Sequence, residues 1–287
     1  MNAHIQVFFD PPSCTYSYVL RDSASQACAI IDPVLDYDAA AGRIGYARVQ
    51  EIIDYVRGEH LQVQWLLETH VHADHLSAAA YLQDQLGGRM AIGAQIGVVQ
   101  SRFAKLFNAG AEFAVDGRQF DQLFADGDSF MVGGLVVQVL HTPGHTPACL
   151  TYVVGDAAFI GDTLFMPDYG TARCDFPGGD ARALYRSIQQ IFALPAATRL
   201  FMCHDYKAPE RTEYKYLSTV AEQREQNVHV HAGIDEDSFV TMRSARDASL
   251  AMPALMLPSV QINMRAGHPP PAEDNGVRYL KVPLNQL

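Results

Sequence analysis

The chain has 287 residues, 48% of them hydrophobic and 18% charged, with 15 Pro and 21 Gly, a balance that excludes disorder and collagen. A chain of this size buries about three-quarters of its unfolded surface, so its core needs no disulfide staples. Lys and Arg number 21 against 32 Asp and Glu, a net charge of -11, which is the wrong sign for nucleic acid or an anionic membrane as partner.

Five Cys, at 14, 28, 149, 174 and 203, contain no C-x-x-C, which argues against a disulfide framework or zinc ribbon and for a reducing compartment. The first residues lack a basic segment leading into an apolar one, and no apolar run reaches the roughly 18 residues of a membrane span. A cytoplasmic protein with no signal peptide or transmembrane segment is expected. The 11 His are clustered rather than scattered.

In chain order, residues 5–9, 15–20 and 27–31 predict a β-meander that ends at Asp32-Pro33. Val49, Ile52, Ile53 and Val56 fall at i, i+3, i+4, i+7 and predict an amphipathic helix stopping at Gly58. Residues 63–67 predict a buried strand that delivers the chain to His70. From Asp74, helix formers run into Gly87-Gly88, followed by a short strand near Met90 and a helix over 95–108. Residues 124–166 predict strands broken by Asp126-Gly127, Gly133-Gly134 and Gly155-Asp156. A helix over 180–193 carries Leu184, Ile188 and Ile191 on one face. The more polar tail predicts a helix over roughly 212–226, then Pro253, Pro258 and Pro269-Pro270-Pro271. No repeat or long linker interrupts this order, which predicts two packed sheets with helices outside. Residues 1–210 are expected to form the catalytic domain, and 211–287 a helical and irregular extension packed on it.

Thr69-His70-Val71-His72-Ala73-Asp74-His75 places three imidazoles and a carboxylate in one short loop. In an extended H-x-H the two rings share a side, because side chains alternate with period 2. Asp74 and His75 then serve a neighbouring position at the turn into the helix. Neutral imidazole and carboxylate suit first-row metals such as Zn²⁺ and Fe²⁺. His145, Asp162 and His204 each follow a short apolar run. Singly, each reads as an ordinary strand-end residue; in this order after the first motif, they have the form of a metal centre built from several strand termini.

H-x-H-x-D-H followed by Gly144-His145-Thr146, Gly161-Asp162 and His204 resembles the metallo-β-lactamase superfamily. The resemblance implies an α/β (α+β) fold, an αββα sandwich of two packed mixed β-sheets with external helices and metal at one edge. It also implies a ligand map of His70, His72 and His145 for one metal and Asp74, His75 and His204 for a second, with Asp162 bridging. Further stretches are similar to the persulfide dioxygenases, the sulfur dioxygenases related to glyoxalase II. They are Phe9 through Tyr18, Ile31-Asp32-Pro33-Val34, Pro143 through Pro147, Gly170 through Phe176, His204-Asp205-Tyr206, Ser218-Thr219-Val220 with Arg224, and Pro258 through Arg265. This likeness spans about residues 6–267.

That family implies one Fe(II) per chain, held by His70, His145 and Asp162, with three positions open for water, O₂ and a persulfide sulfur. His72, Asp74, His75 and His204 then orient ligands and water, or hold a second metal. The implied reaction takes glutathione persulfide, O₂ and water to glutathione and sulfite, without an organic cofactor. The substrate's two carboxylates call for local cations on an acidic protein, and motif position nominates Arg173, Tyr206, Arg224, Asn263 and Arg265 for recognition or for holding the pocket. Arg173 also has Asp175 beside it as an internal partner. Family members often pair, so a homodimer is a further expectation. The sequence departs from the family at Cys174, where many relatives carry Thr, around residues 38–48, and beyond 268. Cys174 and Cys203 read best as inert buried thiols. The alternative within the superfamily is a thioester hydrolase of glyoxalase II type with two Zn²⁺, and a third class is a non-catalytic binding protein, against which the intact ligand positions argue. RNA-processing members are set aside because the chain has neither an inserted domain nor basic grooves.

Overall fold

The computed structural model describes residues 3–286. Strands β1 (Ala3–Asp10), β2 (Thr15–Asp22) and β3 (Ala27–Ile31) form the antiparallel meander that the alternating sequence predicts. A hairpin of β4 (Val34–Asp38) and β5 (Arg43–Gly45) leads into α1 (Ala47–Gly58), which buries Val49, Ile52, Ile53 and Val56. Next, β6 (Gln62–Leu67) joins β3 in parallel, and β7 (Leu76–Ser77) pairs with β4. After α2 (Ala79–Leu86), β8 (Arg89–Gly93) continues the parallel array, and after α3 (Ile96–Leu106), β9 (Gln122–Phe124) closes it. The first sheet is therefore six-stranded and mixed, in the order β1-β2-β3-β6-β8-β9.

The second sheet is built from β10 (Ser129–Val132), β11 (Leu135–His141), β12 (Leu150–Val154), β13 (Ala157–Phe159), β14 (Arg199–Phe201) and β15 (Leu217–Thr219), in that spatial order. Helix α4 (Ala181–Phe192) makes the crossover between β13 and β14, which are parallel, as strands joined through a helix in one sheet are. It buries Leu184, Ile188 and Ile191. Helices α5 (Val220–Gln226), α6 (Glu236–Asp247) and α7 (Met256–Asn263) complete the chain.

Three apolar layers hold the sandwich. One, around Ile30, Leu66 and Ile92, lies between the first sheet and α1, α2, α3 and α7. A second, rich in aromatics such as Tyr18, Trp65, Phe124, Phe159 and Phe201, fills the space between the sheets. The third packs Leu184, Ile188 and Phe239 against the outer face of the second sheet. This is the αββα arrangement, with fold class α/β.

Some boundaries differ from expectation. Helix α2 starts at Ala79 rather than Asp74, because Leu76 and Ser77 are drawn into pairing with Leu35 and Val34. The helix expected over 212–226 is shorter: residues 217–219 form the edge strand β15, and Thr219 caps α5 with a reciprocal Thr219–Glu222 capping box. Helices α6 and α7 leave weak periodic signals. The first buries Phe239 but also Arg243 and Asp247, and the second buries residues on every side and tolerates Pro258 in its first turn. Because β15 extends the sheet that β14 belongs to, residues beyond 210 are built into the sandwich itself. Among the described residues, no helix is long and apolar enough to cross a membrane.

Candidate metal centre

The candidate ligands converge at one end of the sandwich because each sits just beyond a strand. β6 runs into Glu68, Thr69 and His70; β11 leads to the loop with His145; β13 leads to a single 3₁₀ turn, Gly161–Thr163, that carries Asp162; β14 leads to His204. Gly161 has φ +51, and a Cβ there would lie 2.7 Å from the Thr69 hydroxyl oxygen. Only glycine lets the Asp162 turn approach the His70 loop this closely.

One ligand atom each from His70, His145 and Asp162 lies within 4.8 Å of the others, and the same holds for His72, Asp74, His75 and His204. Asp162 faces both groups. Its Oδ2 is 3.9 Å from His70 Nε2 and 3.7 Å from His145 Nε2, while its Oδ1 is 3.3 Å from His204 Nε2. His70 Nε2, His72 Nδ1, His75 Nε2, His204 Nε2 and Asp162 Oδ1 are buried without a hydrogen-bond partner. Buried polar atoms are normally satisfied, so five orphans directed at one place fit a bound cation, and the nitrogen and carboxylate donor set suits Zn or Fe.

Hydrogen bonds behind the ligands set their orientation. Thr69 donates its hydroxyl to Asp32 Oδ2 at 2.9 Å, so its oxygen accepts from His70 Nδ1–H at 3.0 Å and leaves Nε2 with its lone pair. His145 donates Nδ1–H to the Arg173 carbonyl at 2.8 Å, with the same result. Asp32, at φ +50 on the turn after β3, also accepts from Thr69 N at 2.7 Å and from His72 Nε2 at 3.0 Å. Glu68 Oε2 lies 3.1 Å from His72 Nε2 without hydrogen-bond alignment, and its other oxygen accepts a short bond from the Ser77 hydroxyl.

The electrostatics split the rings. Burial, reinforced by the imidazoles of His72 and His145, holds His70 well below the ordinary histidine range. Burial pulls His72 the same way, but the Asp32 and Glu68 carboxylates outweigh it and raise it well above that range. Desolvation also acts on the half-buried Asp74, yet His204 and His75 keep its carboxyl far below the usual value.

A cavity of ≈ 400 Å³ opens over this cluster. Asp74, His145 and Asp162 form its floor, Phe165, Tyr169, Phe176 and Tyr206 an aromatic wall, and Leu250, Ala251 and residues 253–255 a further stretch, with Arg173, Arg243 and Arg246 among the lining. A larger surface hollow of ≈ 630 Å³, along Asp168, residues 208–213 and Lys215, holds none of the ligands.

The metallo-β-lactamase superfamily pattern matches residues 11–204, which carry all seven ligand candidates. The chain belongs to the metallo-β-lactamase superfamily. It is an enzyme of that superfamily, related to the persulfide dioxygenases. It is 59% identical to a probable metallo-hydrolase of Burkholderia pseudomallei over 99% of both chains, and 45% identical to glyoxylase B2 of Dictyostelium discoideum over 99% of this chain and 98% of the relative. It is 31% identical to the mitochondrial persulfide dioxygenase ETHE1 of Bos taurus over 92% of this chain and 88% of the relative. Among solved structures, ETHE1 from Myxococcus xanthus superposes with a TM-score of 0.74 at 30% identity, covering 92% of this chain and 100% of that one.

Of the five residues nominated for recognition or for holding the pocket, two line the cavity of this metallo-β-lactamase fold. Tyr206 stacks on His204 with ring centroids 5.4 Å apart. Arg173 lines the wall, but its Nε and Nη2 are taken by Asp175 at 2.6 Å and its Nη1 by the Ala251 carbonyl at 2.7 Å. The other three lie outside the lining. Arg224 is exposed on α5, outside the cavity lining. Asn263 is buried under the ligand loop, donating to the carbonyls of His72 and His75 and accepting from Ser77 N. Arg265 gives Nη1 to the Gln261 carbonyl and covers the Phe113 ring, away from the cavity. Cys174 and Cys203 are buried, and burial pushes both thiols up.

Sequence reading passed over Asp32, Glu68 and Thr69 as orienting groups, and Arg243 and Arg246 as lining. For Arg243 the i, i+4 spacing to Asp247 is a signal, since it marks an ion pair on one helix face; Arg246 has none.

Proposed function

We propose that this protein is a persulfide dioxygenase with one Fe(II) per chain, converting glutathione persulfide, O₂ and water to glutathione and sulfite. The observation that carries the reading is the three-ligand group of His70, His145 and Asp162, whose ligand atoms lie within 4.8 Å of one another, while His72 falls in the other group. Kinship with persulfide dioxygenases over 92% of the chain supports it. Bound there, ferrous iron would supply open positions at which O₂ and the terminal persulfide sulfur meet.

The chain's own residues do the rest. His70 and His145 are locked as Nε2 donors by Thr69 and the Arg173 carbonyl. Phe165, Tyr169 and Phe176 exclude water around the sulfur, and Asp74 offers a carboxylate on the floor to orient the water consumed. The test is metal analysis of the purified protein joined to an oxygen-electrode assay. The expected outcome is about one iron per chain and O₂ uptake only with persulfide. Two zinc ions with thioester cleavage and no O₂ uptake would overturn it.

A second reading, a binuclear thioester hydrolase of glyoxalase II type with two Zn²⁺, is favoured by one observation. His72, Asp74, His75 and His204 also converge within 4.8 Å, and Asp162 faces both groups.

A further inference from the structure

We infer that Arg246, on the cavity lining, is the docking point for a carboxylate of the thiol carrier, and so a specificity residue. The inference rests on the reading of this cavity as the seat of a carried sulfur.

The charges that line the cavity divide sharply. Its acidic residues are Asp74 and Asp162, both on the floor among the ligands. Its cations are Arg173, Arg243 and Arg246. Arg173 is consumed by Asp175 and the Ala251 carbonyl. Arg243, 1% exposed, gives Nε and Nη2 to Asp247 at 2.9 and 2.6 Å and Nη1 to the Thr171 carbonyl at 3.0 Å. Arg246 alone of the three has neither a carboxylate partner nor a side-chain hydrogen bond among the described residues, and it is exposed. Its guanidinium carbon lies 6.0 Å from the Tyr169 ring centroid, and Tyr169 packs in turn against Tyr206 at 5.5 Å, over His204.

Arg246 is also held in place from behind. It lies inside the turn of α6 that Arg243 and Asp247 bracket, and that buried pair is tied to the cavity wall through the Thr171 carbonyl and through Cys174 N, which donates to Asp247 at 2.9 Å. A rigid backbone therefore presents a free guanidinium to the cavity. A planar fork of this kind grips a carboxylate through two parallel hydrogen bonds. In a protein of net charge -11, the general field repels an anionic carrier, so a local unpaired Arg is the feature that can select one. A cavity of ≈ 400 Å³ is within the range of small-molecule sites.

Isothermal titration of the metal-loaded protein with glutathione and with glutathione diethyl ester separates the possibilities. Arg246→Ala should weaken glutathione binding by about tenfold, the effect of losing one charge-assisted pair. Arg246→Lys should fall between, because an ammonium cannot grip both oxygens. The ester should bind the wild type and Arg246→Ala alike, and the melting temperature should not move. In the oxygen-electrode assay, the loss should appear in KM rather than kcat. Equal glutathione affinity in wild type and Arg246→Ala, equal affinity of acid and ester for the wild type, or no glutathione binding at all would each overturn the assignment. If glutathione binds through Arg246 but the wild type takes up no O₂ with persulfide, the dioxygenase reading fails and this one stands. If persulfide is oxidised with the same KM by Arg246→Ala, the reverse holds.

Discussion

Asn263 follows His75 by 188 residues in sequence, and its side-chain amide donates to the His75 carbonyl at 2.8 Å. The same amide nitrogen reaches the His72 carbonyl at 2.9 Å, and its oxygen accepts from Ser77 N at 2.8 Å. The last helix of the chain thus clamps the loop that bears the first four ligand candidates. Asn263→Ala strands three buried backbone groups, each costing about 1–3 kcal/mol less whatever the loop recovers by shifting. The expected outcome is a stability loss of about 2–4 kcal/mol in urea unfolding, together with weaker metal retention on dialysis. Unchanged metal retention would show that the loop holds its shape alone.

Asp162 and His75 serve as a paired test of how many metals the centre holds. Asp162→Ala removes the carboxylate that faces both ligand groups and should abolish metal binding. His75→Ala touches only the second group and should leave most of the iron in place. Atomic absorption on both variants decides the matter: equal loss in the two points to a binuclear centre.

Arg243 and Asp247 form a buried ion pair whose distant role is to brace His145. Asp247 fixes Cys174 N, and the neighbouring Arg173 carbonyl fixes His145 Nδ1. Arg243→Met leaves Asp247 buried and uncompensated, which costs about 3–5 kcal/mol. Replacing both, as Arg243→Met with Asp247→Leu, should recover much of that stability but lower the metal affinity, because only the double variant takes from Cys174 N its acceptor, Asp247. Thermal unfolding and metal titration of the two variants, run side by side, read the two effects separately.

His229 carries a pH signature. Burial, helped by Arg243 and Arg246, lowers it to about 4 from an ordinary 6.5, and its Nδ1 accepts from Thr171 N at 3.0 Å. A histidine kept neutral in the folded state binds its proton more readily when unfolded. Its contribution is therefore full above about pH 6.5 and is lost as pH falls towards 4. His229→Asn keeps an acceptor but cannot titrate. The wild type should lose more stability than this variant between pH 7 and 4.5, measured as urea midpoints; parallel curves would refute the assignment.

The sequence by itself determined whatever is written in local spacing. The 3.6-residue rhythm of Val49, Ile52, Ile53 and Val56 specifies α1 and the face it buries. Alternating strands broken by glycine turns specify two sheets, and hence the αββα class. Contiguity alone keeps His70, His72, Asp74 and His75 in one loop. What the tertiary structure decided is direction. Arg224, Asn263 and Arg265 occupy motif positions, yet the packing of α5 and α7 turns them to solvent, to the ligand loop and to Phe113. Arg246 sits in a segment with little periodic signal, and the Arg243–Asp247 anchor brings it to the cavity. Asp32 reads as a turn residue, but its two oxygens orient Thr69 and His72 across a gap of about forty residues. Periodicity and propensity act over a few residues and are legible in one dimension. The rotation of a helix on a sheet is set by long-range packing, and with it whether a guanidinium faces a cavity or a carbonyl.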